Sequence, residues 1–203
     1  MNAEFGTLIS FVLISSFTPG PNNISCASMG ILHGYRKTRG YLSGIMAGYF
    51  LVLLLCSLAS RSLLEVFPSF EIVIRIVGAL YILWLAWHTV QASYDFDEQN
   101  QRVMGFSRGF FLQLLNPKGI LFGLTLYSTF LASVTGTPVY LILSVLVMVG
   151  VGFASISTWT LFGAAIRVHL KHRTIKLAVN IGLAALLVFT AFEISGIPEL
   201  LAV

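Results

Sequence analysis

The stretch Phe17-Thr18-Pro19-Gly20-Pro21-Asn22-Asn23 falls in the middle of the first apolar segment, where a membrane helix should be least interrupted. Pro19 and Pro21 carry no backbone donor, so they cannot bond the carbonyls of Ser15 and Phe17, and their rings crowd the preceding turn. Gly20 between them accepts backbone angles that other residues resist. Asn22 and Asn23 then set two amides in a hydrocarbon run. Inside a bilayer, freed backbone groups are tolerated only where protein buries them or where they line a wet cavity. Neighbouring helices ordinarily satisfy a lone proline kink. Two prolines, a glycine and two amides together point instead to a ligand site.

The surrounding composition supplies the membrane. Of 203 residues, 57% are hydrophobic and only 10% charged, against about 25% charged in an ordinary soluble domain. Apolar runs of about twenty residues recur along the whole chain, the mark of a polytopic membrane protein. A single transmembrane domain over 1–203 is expected. Its apolar start has Glu4 in place of a basic n-region and reads as a first span, not a signal peptide. The net charge of +4 comes from basic residues beside span ends, so no nucleic-acid partner is implied. Cys26 and Cys56 lie in apolar surroundings and suggest no disulfide framework. No metal or cofactor set is expected.

Six spans fit: Phe5 to Leu32, broken at Thr18 to Pro21; Tyr41 to Ser60; Ile72 to Val90; Gly109 to Leu131; Val139 to Phe162; and Leu177 to Ile194. Gly40, Gly44 and Gly48 line one face of the second span and read as helix packing. In the third, Arg75 follows Glu71 by one turn and reads as an intrahelical pair snorkelling to the surface. Tyr81, Trp84, Trp87 and Tyr94 read as interfacial aromatics, with His88 among them. A polar linker, Asp95 to Arg108, divides the chain into halves, 1–94 and 108–203. The fourth span repeats the oddity of the first, with Asn116, Pro117 and Lys118 interrupting it. The hydroxyls of Ser155, Ser157, Thr158 and Thr160 read as bonded to helix carbonyls. Glu193 is the one acid clearly inside a span.

Nine of the twelve Lys and Arg residues fall in odd-numbered loops: Arg36, Lys37 and Arg39; Arg102 and Arg108; Arg167, Lys171, Arg173 and Lys176. By the positive-inside rule those loops are cytoplasmic and both termini face outward. Three spans per half give the halves opposite topology, the inverted-repeat plan of many secondary transporters. Asn116 lies eight residues beyond Arg108, or about 12 Å of helix. The Thr18 break lies fourteen beyond Glu4, or about 21 Å. Both therefore reach the middle of an approximately 30 Å core from opposite sides.

The chemistry follows from the helix ends. Asn116 suits an N-cap and Pro117 the first helical position, leaving amides beyond them without intrahelical partners. Pro21, with Gly20 as a permissive cap, can start the second half of the first span in the same way. Two facing N-termini with Lys118 beside them make an anion site fit for an amino-acid carboxylate. The ammonium needs acceptors. The carbonyls of Ser15, Phe17 and Gln113 and the side chains of Asn22 and Asn23 are candidates.

At these residues the chain resembles the LysE/RhtB family of amino-acid exporters. The resemblance rests on Thr18 to Asn23, the glycine-spaced second span and Asn116 to Gly119, and covers essentially the whole chain. Gly78 to Trp87 and Gly123 to Phe130 are most similar to members that export cysteine and O-acetylserine. The resemblance implies a bacterial inner-membrane carrier of small amino acids, driven by the proton gradient. Where many members carry an aspartate in the second span, this chain has Tyr49. Tyr127, Ser128 and Thr129 stand where relatives carry a proline. Loss of the aspartate argues against lysine or arginine as substrate and removes the obvious proton carrier. The expected substrate site comprises Pro19, Gly20, Pro21, Asn22, Asn23, Tyr49, Asn116, Pro117 and Lys118. Oligomeric state is open, a homo-oligomer included.

Two other classes compete. Cys26, five residues after Pro21, keeps a membrane thiol–disulfide electron carrier in play, although the fourth span has no matching cysteine. An intramembrane enzyme lacks support: no His-Glu-x-x-His pair and no midplane Ser–His or carboxylate pair is present.

Overall fold

Apolar segments without enough polar surface to face water form helices here, and the described residues contain no strand. The computed structural model describes residues 2–66, 69–91, 103–167, 173–195 and 197, with only the backbone at 2–4, 60–66, 69–71, 134–135 and 173. Among the described residues, seven α-helices run in order: α1 (Asn2–Phe17), α2 (Pro21–Val66), α3 (Ser69–Val90), α4 (Phe106–Leu114), α5 (Pro117–Thr125), α6 (Pro138–Ile166) and α7 (Arg173–Ile194). A π-helical turn, Leu126–Phe130, and a 3-10 turn, Ala132–Gly136, join α5 to α6.

Four of these helices contain segments long and apolar enough to cross a bilayer: Pro21–Ala59, Ile72–Val90, Pro138–Ile166 and Thr174–Ile194. The others are interrupted where proline removes a donor. The chain leaves α1 at Phe17 and re-enters helix at Pro21, and α4 stops at Leu114 before α5 begins at Pro117. Helices α4 and α5 have 9 residues each, about 14 Å apiece, half of a bilayer core.

The basic stretch Arg36, Lys37 and Arg39 was expected in a loop and is helical instead. The direction changes at Gly34 alone, whose φ of 71° and ψ of 170° break α2 into limbs 21–33 and 35–66. Only a residue without a Cβ takes that angle cheaply. Arg108, Lys176 and the backbone of Arg173 are likewise helical. Tyr94, Asp95, Arg102, Lys171 and Val203 lie outside the described residues, as do the side chains of Arg61, Glu71 and Arg173.

Glycines set how closely the helices approach. A Cβ on Gly30 would come within 2.1 Å of the Thr160 carbonyl oxygen, and one on Gly163 within 2.0 Å of that of Ala27. The crossing of α2 with α6 is thus backbone against backbone from both sides. Gly44 meets the Phe106 carbonyl at 2.0 Å and Gly109 that of Tyr41 at 2.2 Å, so α2 crosses α4 in the same way. Such contacts replace the hydrophobic drive that lipid removes. Gly48 also faces α4, but nothing lies within 4 Å of Gly40. The expected three-glycine stripe is therefore a two-glycine contact. Helix α3 packs on α7 through Ala79, Ile82 and Ala86 against Leu183, Ala184 and Leu187. Outward faces are apolar, as in Val77, Leu80 and Trp87 of α3 and Leu143, Val147 and Phe153 of α6.

Candidate functional site

The first break strips helix partners from a short run of carbonyls, and side chains from four helices take their place. Asn23 Nδ2 of α2 donates to the Ser16 and Thr18 carbonyls at 3.0 and 3.1 Å. Ser155 Oγ of α6 donates to Ser16 at 2.7 Å, and Trp159 Nε1 to Phe17 at 3.2 Å. Lys118 Nζ of α5 donates to Thr18 at 2.7 Å. Thr190 Oγ1 of α7 bonds the Pro19 carbonyl. A buried carbonyl must be paired, and here tertiary structure supplies what the prolines withhold. Phe17 was expected to leave its carbonyl for an ammonium. It is instead used by Trp159. No hydrogen bond involving the Ser15 carbonyl is among those described.

The second break is tighter. The Asn116 N–H donates to the Gln113 carbonyl at 3.1 Å, so that carbonyl too is occupied, contrary to expectation. Asn116 occupies the N-cap of α5 and Pro117 the first helical position, but the Asn116 side chain makes no cap hydrogen bond. That leaves the first-turn amides of α5 uncapped by it and its own side chain turned to the cavity.

Two side-chain bonds join the breaks. Lys118 reaches Thr18, and Asn22 Nδ2 donates to Gln113 Oε1. The approach is possible because Gly20 has no side chain: a Cβ there would stand 2.8 Å from Lys118 Cδ. Gly119 makes the same allowance for Gln113, whose Nε2 would be 2.6 Å from its Cβ.

Between the breaks lies a cavity of about 70 Å³. At about 10–15 Å³ of such space per water, it has room for a few water-sized groups. Gly20, Asn22 and Asn23 line one side, Asn116, Lys118 and Gly119 another, and Tyr49, Gln113 and Ser155 contribute from neighbouring turns. Three buried amide atoms around it have no hydrogen-bond partner: Asn22 Oδ1, Asn116 Oδ1 and Gln113 Nε2. An orphaned buried polar atom costs about 1–3 kcal/mol, so three around one cavity mark a place where a polar guest is stabilised. Two are acceptors and one a donor, and the ammonium of Lys118 has further N–H groups beyond the one given to Thr18. The cavity can therefore accept bonds from a cationic group and donate bonds to an anionic one. No Asp or Glu lines it.

Of the residues expected in the site, Gly20, Asn22, Asn23, Tyr49, Asn116 and Lys118 line the cavity, and Pro19, Pro21 and Pro117 do not. Pro117 turns the other way, toward Gly78 of α3, where an added Cβ would lie 2.5 Å from the proline Cβ. The prolines make the breaks, and others face the space they open. Sequence reasoning missed the Gln113 side chain and passed over Ser155. A glutamine three residues before Asn116 in a hydrocarbon run was the available signal. Ser155 was expected to bond a carbonyl of its own helix and bonds across to α1 instead.

Cys26 and Cys56 are both free and buried. They sit in separate clusters, Cys26 with Met29 and Tyr41 and Cys56 with Leu53 and Phe122. Nothing in this arrangement favours a dithiol site.

Residues 13–195 match the family model described as LysE type translocator. The chain is 36% identical over 189 residues to a cysteine/O-acetylserine efflux protein of Klebsiella pneumoniae, covering 92% of this chain and 94% of the relative. It is 36% identical over 188 residues to the protein of that description from Escherichia coli K12, covering 91% and 94%. For that of Salmonella typhimurium the figures are 35% over 185 residues, with 91% and 94% covered. No solved structure gives a significant match.

Proposed function

The chain belongs to the LysE-type translocator family, and from that premise we propose that it exports small amino acids with uncharged side chains, of the cysteine and O-acetylserine type. The carrying observation is the set of orphaned amides around the central cavity, beside Lys118. A zwitterionic head fits that set. Its carboxylate takes N–H groups of Lys118 and Gln113, and its ammonium takes Asn22 Oδ1 and Asn116 Oδ1. The side chain then meets Tyr49, Met46 and Phe122, which are aromatic or apolar. A second cation there would have no carboxylate to face, and an unpaired buried charge is expensive. Lysine and arginine are therefore poor substrates in this reading.

The same proposal sets the chain in a bacterial inner membrane as six spans in two inverted repeats, 1–94 and 108–203. The first span is α1 with residues 21–33 and the fourth is α4 with α5. Both termini face the periplasm, and the proton gradient drives export. Supporting this are the basic residues near one set of helix ends and the two interrupted helices that meet at one cavity.

The test is overproduction in a bacterium deleted for its own cysteine exporters. The medium should gain cysteine and O-acetylserine relative to an empty vector. Release of lysine and arginine in their place, or of no amino acid, overturns the reading.

A further inference from the structure

A second and larger cavity, of about 320 Å³, lies between α1, α3, α5 and α7. Its lining differs in kind from that of the central one. Arg75 of α3, Lys118 of α5 and Glu193 of α7 all border it, among apolar groups such as Phe11, Leu121 and Phe189. Arg75 and Lys118 are half-buried and Glu193 is exposed near the end of α7; half-buried charges within apolar spans are costly and ordinarily mark a path for polar cargo. Here both signs occur in one chamber. The central cavity has the cation alone.

The two cavities also share a wall. Ser15, Lys118 and Phe122 line both. Lys118 thus borders each chamber, and its bond to Thr18 lies on the partition, because Thr18 lines the second cavity. A carboxylate held by Lys118 in the central cavity can pass into the second without leaving that ammonium. There it comes within the same chamber as Arg75, while Glu193 offers the ammonium a carboxylate.

We propose that the second cavity is an outer binding site for the zwitterionic head of an α-amino acid, with Lys118 and Arg75 on its carboxylate side and Glu193 on its ammonium side. The inference rests on the amino-acid export reading and adds a second station to it. Arg75 lies in the first third of α3 and Glu193 one residue from the end of α7. In the proposed topology both ends face outward, so this is the station from which cargo is released.

The experiment uses the full chain in right-side-out membrane vesicles from an exporter-deficient strain, loaded with radiolabelled cysteine under reductant. Efflux is stimulated by unlabelled external cysteine, which must enter the outer site to exchange. The wild type gives the external half-saturating concentration. Both E193Q and R75Q should raise it roughly tenfold, the size of one lost charge-assisted bond. The internal half-saturating concentration, set at the central cavity, should change less than about twofold by the same scale. A merely structural role would move both together, or neither. If E193Q abolishes exchange, E193D decides. Recovery of external saturation supports the outer site, and equal loss overturns it. An unchanged external value in both Gln variants also overturns it and leaves the export reading intact. Wild-type vesicles that exchange no cysteine overturn the export reading itself.

Discussion

The Lys118 ammonium donates to the Thr18 carbonyl at 2.7 Å, across 100 positions of sequence. Each partner sits at a helix break, and each break would be less tenable without the other. Thr18 has a carbonyl that a continuous helix would have used, and Lys118 has a charge that an apolar interior would otherwise leave unpaired. A lysine in this position is a point charge on a flexible stem with N–H groups to spare. It can hold the partition and a carboxylate at once.

Replacing Lys118 by Met keeps the stem and removes the charge. Export of cysteine should fall by at least about 100-fold, if a charge-assisted bond to substrate of about 1.5–3 kcal/mol and the Thr18 tie are both lost. Protein in the membrane, read by immunoblot, should stay within about twofold on that scale. Arginine should not rescue, because a rigid planar guanidinium cannot take over the compact ammonium's contact with the Thr18 carbonyl while facing the cavity. Normal export by K118M removes Lys118 from the site.

Gly20→Ala adds one methyl at 2.8 Å from Lys118 Cδ. The stem must swing aside, so Thr18 loses its lysine donor and keeps only Asn23, and the cavity changes shape, at about 1–3 kcal/mol. The expected result is a raised half-saturating concentration with export capacity retained. The control is Gly150→Ala, where nothing lies within 4 Å; it should transport like the wild type.

Gly163→Val tests the helix crossing and not the site. Its first side-chain atom would lie 2.0 Å from a backbone oxygen of α2, and backbone cannot rotate away as a lysine stem can. Loss of monodisperse protein on size-exclusion chromatography in detergent is expected. A variant that elutes as the wild type, with unchanged thermal midpoint, contradicts the close crossing.

A reporter fused after Val203 should be active only in its periplasmic form, because the proposed topology, by the positive-inside rule, puts the basic stretches of sequence at 36–39 and 167–176 on the cytoplasmic side. Activity of a cytoplasmic reporter at that position reverses the proposed orientation.

Pro19, Pro21 and Pro117 announced where helices stop, since a missing donor is a local property that the chain carries openly. What fills the resulting gaps is not local. Trp159, Ser155 and Thr190 satisfy carbonyls more than 130 positions away, and nothing near them in sequence says so. For the same reason the Phe17 and Gln113 carbonyls looked free and are not. The Gln113 side chain escaped notice because its neighbours are apolar and its role lies in an amide aimed across the break at Asn22. The helical course of Arg36 to Arg39 was hidden by charge, which resembles a loop. A single glycine at 34 makes the bend.

The reciprocal glycine crossings have a mechanical consequence. Where carbonyl oxygen stands against Cα, as at Gly30 with Thr160 and Gly44 with Phe106, there is no side-chain cushion to deform. Helices α2, α4 and α6 form a stiff chassis. The α3–α7 pair instead meets through alanine and leucine side chains, which can slide by small rotamer changes, the shear kind of motion. Alternation of the cavity between its two sides should then show as travel of this pair over a stationary chassis. Spin labels on α2 and α6 should keep one separation with and without cysteine, while α2 to α7 takes two. A cysteine-dependent change between α2 and α6 would place the moving joint inside the glycine crossings and refute the division.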